Sequence, residues 1–130
     1  MDTMFEDVKA FQRKFQLGEH PPIPTAMDAQ RAQERMTLIR EEVAELETAI
    51  AENDIEGQAD ALVDIVYVVL GTASVMGLPW EELWADVQRA NMSKVRGMTK
   101  RGHANDVTKP EGWQGPRTAA ILLKALRRGR

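Results

Sequence analysis

The stretch from Gln58 to Met76 constrains this chain most. Ala59, Ala61, Leu62, Val63, Ile65, Val66, Val68, Val69 and Leu70 make it apolar almost all round. A helix of that kind belongs in the middle of a bundle, because every side of it needs cover from water. Its β-branched residues also allow a buried strand over 62–70, but length and the helical patterns on either side favour a helix. One stripe interrupts the apolar surface. Asp60 and Asp64 are four apart, and Tyr67 and Gly71 fall within about 20–40° of them on the helical wheel. Carboxylates on a buried stripe are costly unless paired or bound to a cation, and two like charges cannot partner each other. Gly71 removes bulk where a neighbouring helix is expected to come close.

The flanking segments supply the rest of a helical bundle. Thr3 and Glu6 have capping-box spacing, and Phe5, Val8, Phe11 and Phe15 follow on one face. Gly18 and the His20–Pro24 stretch break the chain. From Asp28 to Asn53, the residues Ala32, Met36, Ile39, Val43, Leu46 and Ile50 alternate steps of four and three, a seam that wants another helix. Asn53 to Gly57 reads as a turn. Pro79 suits a first helical position, Glu81 and Glu82 favour a helix start, and Trp80, Leu83, Trp84 and Val87 form an apolar face. Residues 97–115 are polar with little period, and Thr118 to Arg128 forms a last short helix. The expected fold is all-α, a bundle of about four to five helices. It is expected to be a single domain over 1–130, with its core at 28–95, a polar tail at 96–115 and a closing helix at 117–128.

Composition narrows the chemistry. The chain has 130 residues and no cysteine, so disulfide, zinc-thiolate and thiol-nucleophile chemistry are excluded. A net charge of -3 leaves no overall nucleic-acid footprint. Acids gather between Glu41 and Asp64, and bases from Arg89 onward, so the first part suits cations and the second suits anions. The start of the chain lacks the basic-then-apolar order of a signal peptide. The longest apolar run, Ile65–Leu70, falls short of the ~20 residues of a membrane span. A cytoplasmic location with no membrane is the expectation.

Glu41, Glu42 and Glu45 lie within an arc of about 100° on the second helix. No Lys or Arg stands three or four residues away from them, as an ordinary solvated face would usually have. Such a face remains the alternative reading, as does an exposed helix start for Asp60 and a distant salt bridge for Asp64. If the second and third helices are antiparallel neighbours, five carboxylates converge with no histidine or thiol among them. All-oxygen ligation suits Mg²⁺, or Mn²⁺, shared with substrate phosphates.

The motifs E-E-V-A-E, D-A-L-V-D-I-V-Y-V, R-A-N-M-S-K and K-P-E-G-W occur in that order. Over about residues 32–115 the chain resembles the MazG-like nucleoside triphosphate pyrophosphohydrolases, whose all-α superfamily also holds phosphoribosyl-ATP pyrophosphohydrolases and dimeric dUTPases. The resemblance implies a helical bundle completed by dimerisation, a homodimer or dimer of dimers, with Mg²⁺ held by acids of two helices. Glu41, Glu42, Glu45 and Asp64 match the metal-binding acids. Ala61 stands where the usual E-x-x-D motif has Glu, and Asp60, one residue earlier, is the candidate replacement. Asn91 and Lys94 match a nucleotide-contacting pair, and Lys109 lies in the matching tail.

The implied reaction is Mg²⁺-dependent hydrolysis of a nucleoside triphosphate, a dNTP first, to the monophosphate and pyrophosphate. Glu42 is the candidate base, although any of the three glutamates can serve. An amide and an ammonium at i,i+3, as in Asn91 and Lys94, can grip a sugar or base and a phosphate together. Tyr67, on the acidic stripe, is a further substrate-binding candidate. Lys100 and Arg101 read as a solvated basic loop, His20 and His103 as exposed bystanders, and Trp113 as a pin for the tail. The alternatives are a phosphoribosyl-ATP pyrophosphohydrolase and a non-catalytic helical dimerisation module. The first helix and the Gly18–Thr25 loop are candidates to close over a base through Phe11 or Gln16, but no segment encodes a base preference.

Overall fold

The computed structural model describes residues 3–18, 20–97, 102 and 105–129. Lys100, Arg101 and His103 lie outside them. The described residues form five helices and one two-stranded ladder, the all-α fold expected. They fall into two compact units, Met1–Leu78 and Pro79–Arg130, each described by itself.

The first unit holds α1 (Met4–Lys14), α2 (Ala29–Ala51) and α3 (Ile55–Val75). The capping box opens α1: Glu6 N donates to Thr3 Oγ1 at 3.1 Å and Thr3 N to Glu6 Oε2 at 3.3 Å. Phe5, Val8 and Gln12 are its buried residues. Phe11 and Phe15, expected on that face, are exposed, although Phe11 still touches Tyr67 of α3 with its ring edge, and Gln12 is the residue α1 buries against α3. Asp28 caps α2 by accepting from Arg31 N. The third helix begins at Ile55, three residues earlier than the pattern indicates, since Asp54 accepts from Gly57 N and so caps it. The connection is therefore only Glu52–Asp54, with Asn53 at φ 55°.

Bonds from Arg35 to Val68 and Thr72, and from Gln58 to Ala49, show that α2 and α3 run antiparallel. The expected seam of α2 is packed only in part, with Ala32, Ile39 and Leu46 half-buried. Ala49 is buried, whereas Met36, Val43 and Ile50 are exposed. At the hairpin end a Cβ built on Gly57 would lie 3.1 Å from Ala49 Cβ, so the helices close there where both side chains are small. Nor is α3 covered on all sides. Leu62 and Val63 remain 53% and 65% exposed. By length and composition alone α3 is apolar enough to cross a membrane, with a mean hydropathy of 1.4. It packs against α1 and α2 and carries Asp60 and Asp64.

At the end of α3, Gly77 takes φ 64°, and a Cβ there would meet Pro21 O at 2.5 Å. The loop after α1 docks at this point through Thr25 N to Met76 O. His20 belongs to that docking and is not an exposed bystander. It is half-buried, with Nδ1 3.1 Å from Ser74 Oγ.

The second unit holds α4 (Trp80–Met92), the ladder β1 (Val95–Arg96) with β2 (Val107–Thr108), and α5 (Thr118–Arg128). Pro79 is the N-cap of α4 rather than its first residue. The antiparallel ladder pairs Val95 with Thr108 and Arg96 with Val107, so β2 lies inside the 97–115 segment expected to be irregular and β1 just before it. The apolar face expected for α4 is not its buried side. Trp84 is 60% exposed, while Asp86 and Ala90 are buried. Asp86 accepts from Arg89 Nε and Arg117 Nη2, each at 2.9 Å, and from Arg117 N.

Candidate metal centre

The central hairpin gathers acids by helix arithmetic. Glu42 and Glu45 are one turn apart on α2, and Asp64 rises on the antiparallel α3 beside them. One carboxylate oxygen from each lies within 4.8 Å of the other two. Glu42 is the half-buried member, and its Oε2 is buried with no hydrogen-bond partner. An acceptor of that kind is costly unless something positive reaches it. Burial first, then the charge and hydrogen bond of Glu45, then the charges of Asp64 and Glu41, push the Glu42 carboxyl above its ordinary range. A divalent cation relieves each of these costs, and three oxygen donors fit Mg²⁺ or Mn²⁺ rather than zinc.

The structure therefore unites three of the five expected acids. Glu41 is exposed and reaches the cluster through its charge on Glu42. Asp60 is exposed one turn before Asp64, in an adjoining groove it shares with Glu45, Thr48, Glu52 and Asp54. Ala61, beside it, is 2% exposed and packed in the core. Tyr67 follows Asp64 on the stripe, and its ring meets Phe11 edge-on with centroids 5.5 Å apart. In the second unit Asn91 is exposed near the end of α4. Lys94 and Lys109 both place Nζ against the Trp113 ring, 5.4 and 5.0 Å from its centroid, within cation–π range. Trp113 Nε1 donates to Ala90 O at 2.8 Å, which pins the tail as expected. Asp86 and Gln12 carried no signal in the sequence, because a lone buried polar residue looks like any surface one.

The raised proton affinity of Glu42 has a definite sign. The folded state holds this proton more tightly than the unfolded state, whose value is near 4.5. The penalty is absent at lower pH and grows as pH rises through the raised folded value. Cation-free protein is therefore expected to lose thermal stability across that interval relative to Glu42→Gln. Added Mg²⁺ is expected to restore it at neutral pH and not in acid. Thermal melts between pH 4 and 8 check this, and identical slopes for both proteins would contradict it.

The described residues form an all-α chain whose central hairpin gathers three carboxylates that could together hold a cation through oxygen donors. Residues 8–91 match the family model of phosphoribosyl-ATP pyrophosphohydrolase, and the chain belongs to that family, within the MazG-like nucleoside triphosphate pyrophosphatase superfamily. It is accordingly a pyrophosphohydrolase. The match contains Glu42, Glu45, Asp64 and Asn91 and ends before Lys94, Lys109 and Trp113. No curated protein matches the chain.

Proposed function

We propose that the chain hydrolyses a nucleoside triphosphate, a deoxynucleotide first, to the nucleoside monophosphate and pyrophosphate, with Mg²⁺ held by Glu42, Glu45 and Asp64. The partnerless Glu42 Oε2 among three converging carboxylates carries this reading. Bound Mg²⁺ supplies positive charge to the phosphate oxygens and acidifies the attacking water. Glu42 takes that water's proton. The water oxygen bonds to one of the two phosphorus atoms flanking the α–β bridge, the bridging bond on that side breaks, and pyrophosphate departs. Glu45 and Asp64 hold the charge balance and the geometry. Glu41 and Asp60 stand ready to support the centre through their charge. Asn91, Lys94, Lys109 and Tyr67 are proposed to contact the nucleotide, the two lysines at phosphate. A second copy of the chain is proposed to cover the apolar surface left open at Leu62, Val63 and Val66.

A second reading, phosphoribosyl-ATP as substrate, draws support from the family match itself. The K-P-E-G-W segment lies beyond that match and supports the triphosphate reading. A panel of dNTPs, NTPs and phosphoribosyl-ATP with Mg²⁺, scored for pyrophosphate against orthophosphate, separates the two. Pyrophosphate from dNTPs is expected at a higher kcat/KM than from phosphoribosyl-ATP. The reverse order selects the second reading, and orthophosphate alone overturns both.

A further inference from the structure

Beyond the acids, the same helix faces bring together a second set of polar groups. Asp64, Tyr67 and Gly71 share one stripe of α3, so Gly71 stands about 10 Å beyond Asp64. On the antiparallel α2, Arg35 stands seven residues before Glu42, the same distance in the same direction. At that level α1 contributes Gln12. A Cβ on Gly71 would lie 2.7 Å from Arg35 Nη2 and 2.9 Å from Gln12 Nε2. The missing side chain therefore lets the two polar groups meet above the helix.

Both groups hold unused capacity. Arg35 donates from Nε to Thr72 Oγ1 at 3.1 Å and from Nη2 to Val68 O at 2.9 Å, which clasps α2 to α3. Nη1 makes no such bond, and no acid among the described residues pairs with this half-buried cation. Gln12 is 3% exposed. Its Nε2 donates to Gly71 O at 3.1 Å, which fixes the amide's orientation, yet its Oε1 is buried without a donor. A clasp alone needs neither the free Nη1 nor the orphaned Oε1. A buried acceptor without a donor and a half-buried cation without an acid are each costly unless something else completes them. Phe11, on the same helix as Gln12, and Phe15, which caps that helix, have centroids 5.1 Å apart and leave aromatic surface exposed.

We propose that Gln12 and Arg35 read the base of the nucleotide and select one that presents a carbonyl next to a ring N–H. This rests on the triphosphate reading above. With phosphates at the acids, the base of the same nucleotide reaches the level of Gly71. A guanidinium only donates, and the fixed Gln12 Oε1 only accepts. Side by side they complement the carbonyl and ring N–H of uracil, thymine or guanine. They oppose the amino group and bare ring nitrogen of cytosine or adenine.

The test is equilibrium binding of non-hydrolysable α,β-methylene analogues of dUTP and dCTP to the full chain with Mg²⁺, alongside kcat/KM for the five dNTPs. The dUTP analogue is expected to bind at least about tenfold tighter, with the same order in turnover. In Gln12→Leu and Arg35→Met the dUTP/dCTP ratio is expected to fall towards one. A merely structural role would weaken both nucleotides equally and keep the ratio. Equal or reversed affinities in the wild type overturn the proposal, whether or not the variants fold. Hydrolysis without base preference removes this inference alone. Base-selective binding without pyrophosphate release removes the triphosphate hydrolysis reading and leaves the base site standing.

Discussion

Asp64→Ala is expected to lower kcat/KM for pyrophosphate release at least a hundredfold, about the loss when one preorganised charge-stabilising group is removed, with helical content unchanged. Asp64 is exposed and makes no hydrogen bond that holds the fold. Its removal takes a donor from the one place where α2 and α3 bring acids within 4.8 Å. It also removes a negative charge that presses on Glu42. The cation-free variant should therefore melt no lower than the wild type, while the gain in melting temperature on adding Mg²⁺ disappears. Steady-state kinetics and melts with and without Mg²⁺ read both effects. Full activity in a folded Asp64→Ala protein would remove the metal centre. Asp60→Ala is the informative comparison, because Asp60 faces the adjoining groove. A loss as deep as that of Asp64 would make it a ligand in spite of its position.

The second large effect is on stability. Asp86→Ala is expected to lower the melting temperature of the α4–α5 unit by several degrees, because the buried carboxylate anchors two arginines that are themselves partly solvated. Asp86 ties α4 to the segment that leads into α5. It accepts from Arg89 and Arg117, and Arg89 in turn holds Gly115 O at 2.9 Å. Without the carboxylate, two guanidinium groups face each other uncompensated. The Arg89 hydrogen bonds first, then the Arg117 backbone N–H and side chain, hold this carboxyl far below the ordinary aspartate range. A lowered folded value means that its contribution is complete above the unfolded value of 3.8 and is lost as pH falls towards the folded one. The gap between wild type and variant should therefore be flat from mildly acid to neutral pH and shrink only below about pH 4. A variant that melts with the wild type at neutral pH would show that the tail is held by other contacts, such as Trp113 on Ala90.

Much of this architecture is local in origin and legible in the residues. The Thr3–Glu6 box, the Asp28 cap and the full extent of α5 follow from signals within four residues of each helix end. The convergence of Glu42, Glu45 and Asp64 follows from one-turn spacing and a short connection, and a family resemblance in ordered motifs pointed to the same acids. Where an expectation failed, a distant partner had decided the outcome. Gln12, which no pattern in the chain singled out, is the amide that α1 buries, because Gly71 lies 59 residues away to receive it. His20 is held by Ser74, 54 residues on, and Asp86 by Arg117, 31 residues on. Caps and periodicity act over one turn, so the chain by itself determined its helices and the alignment of its acids. Which polar side chains are buried, and against what, depends on how those helices are rotated against each other. Only the packed structure decided that, because side chains 30 to 60 residues apart carry no mutual signal until they touch.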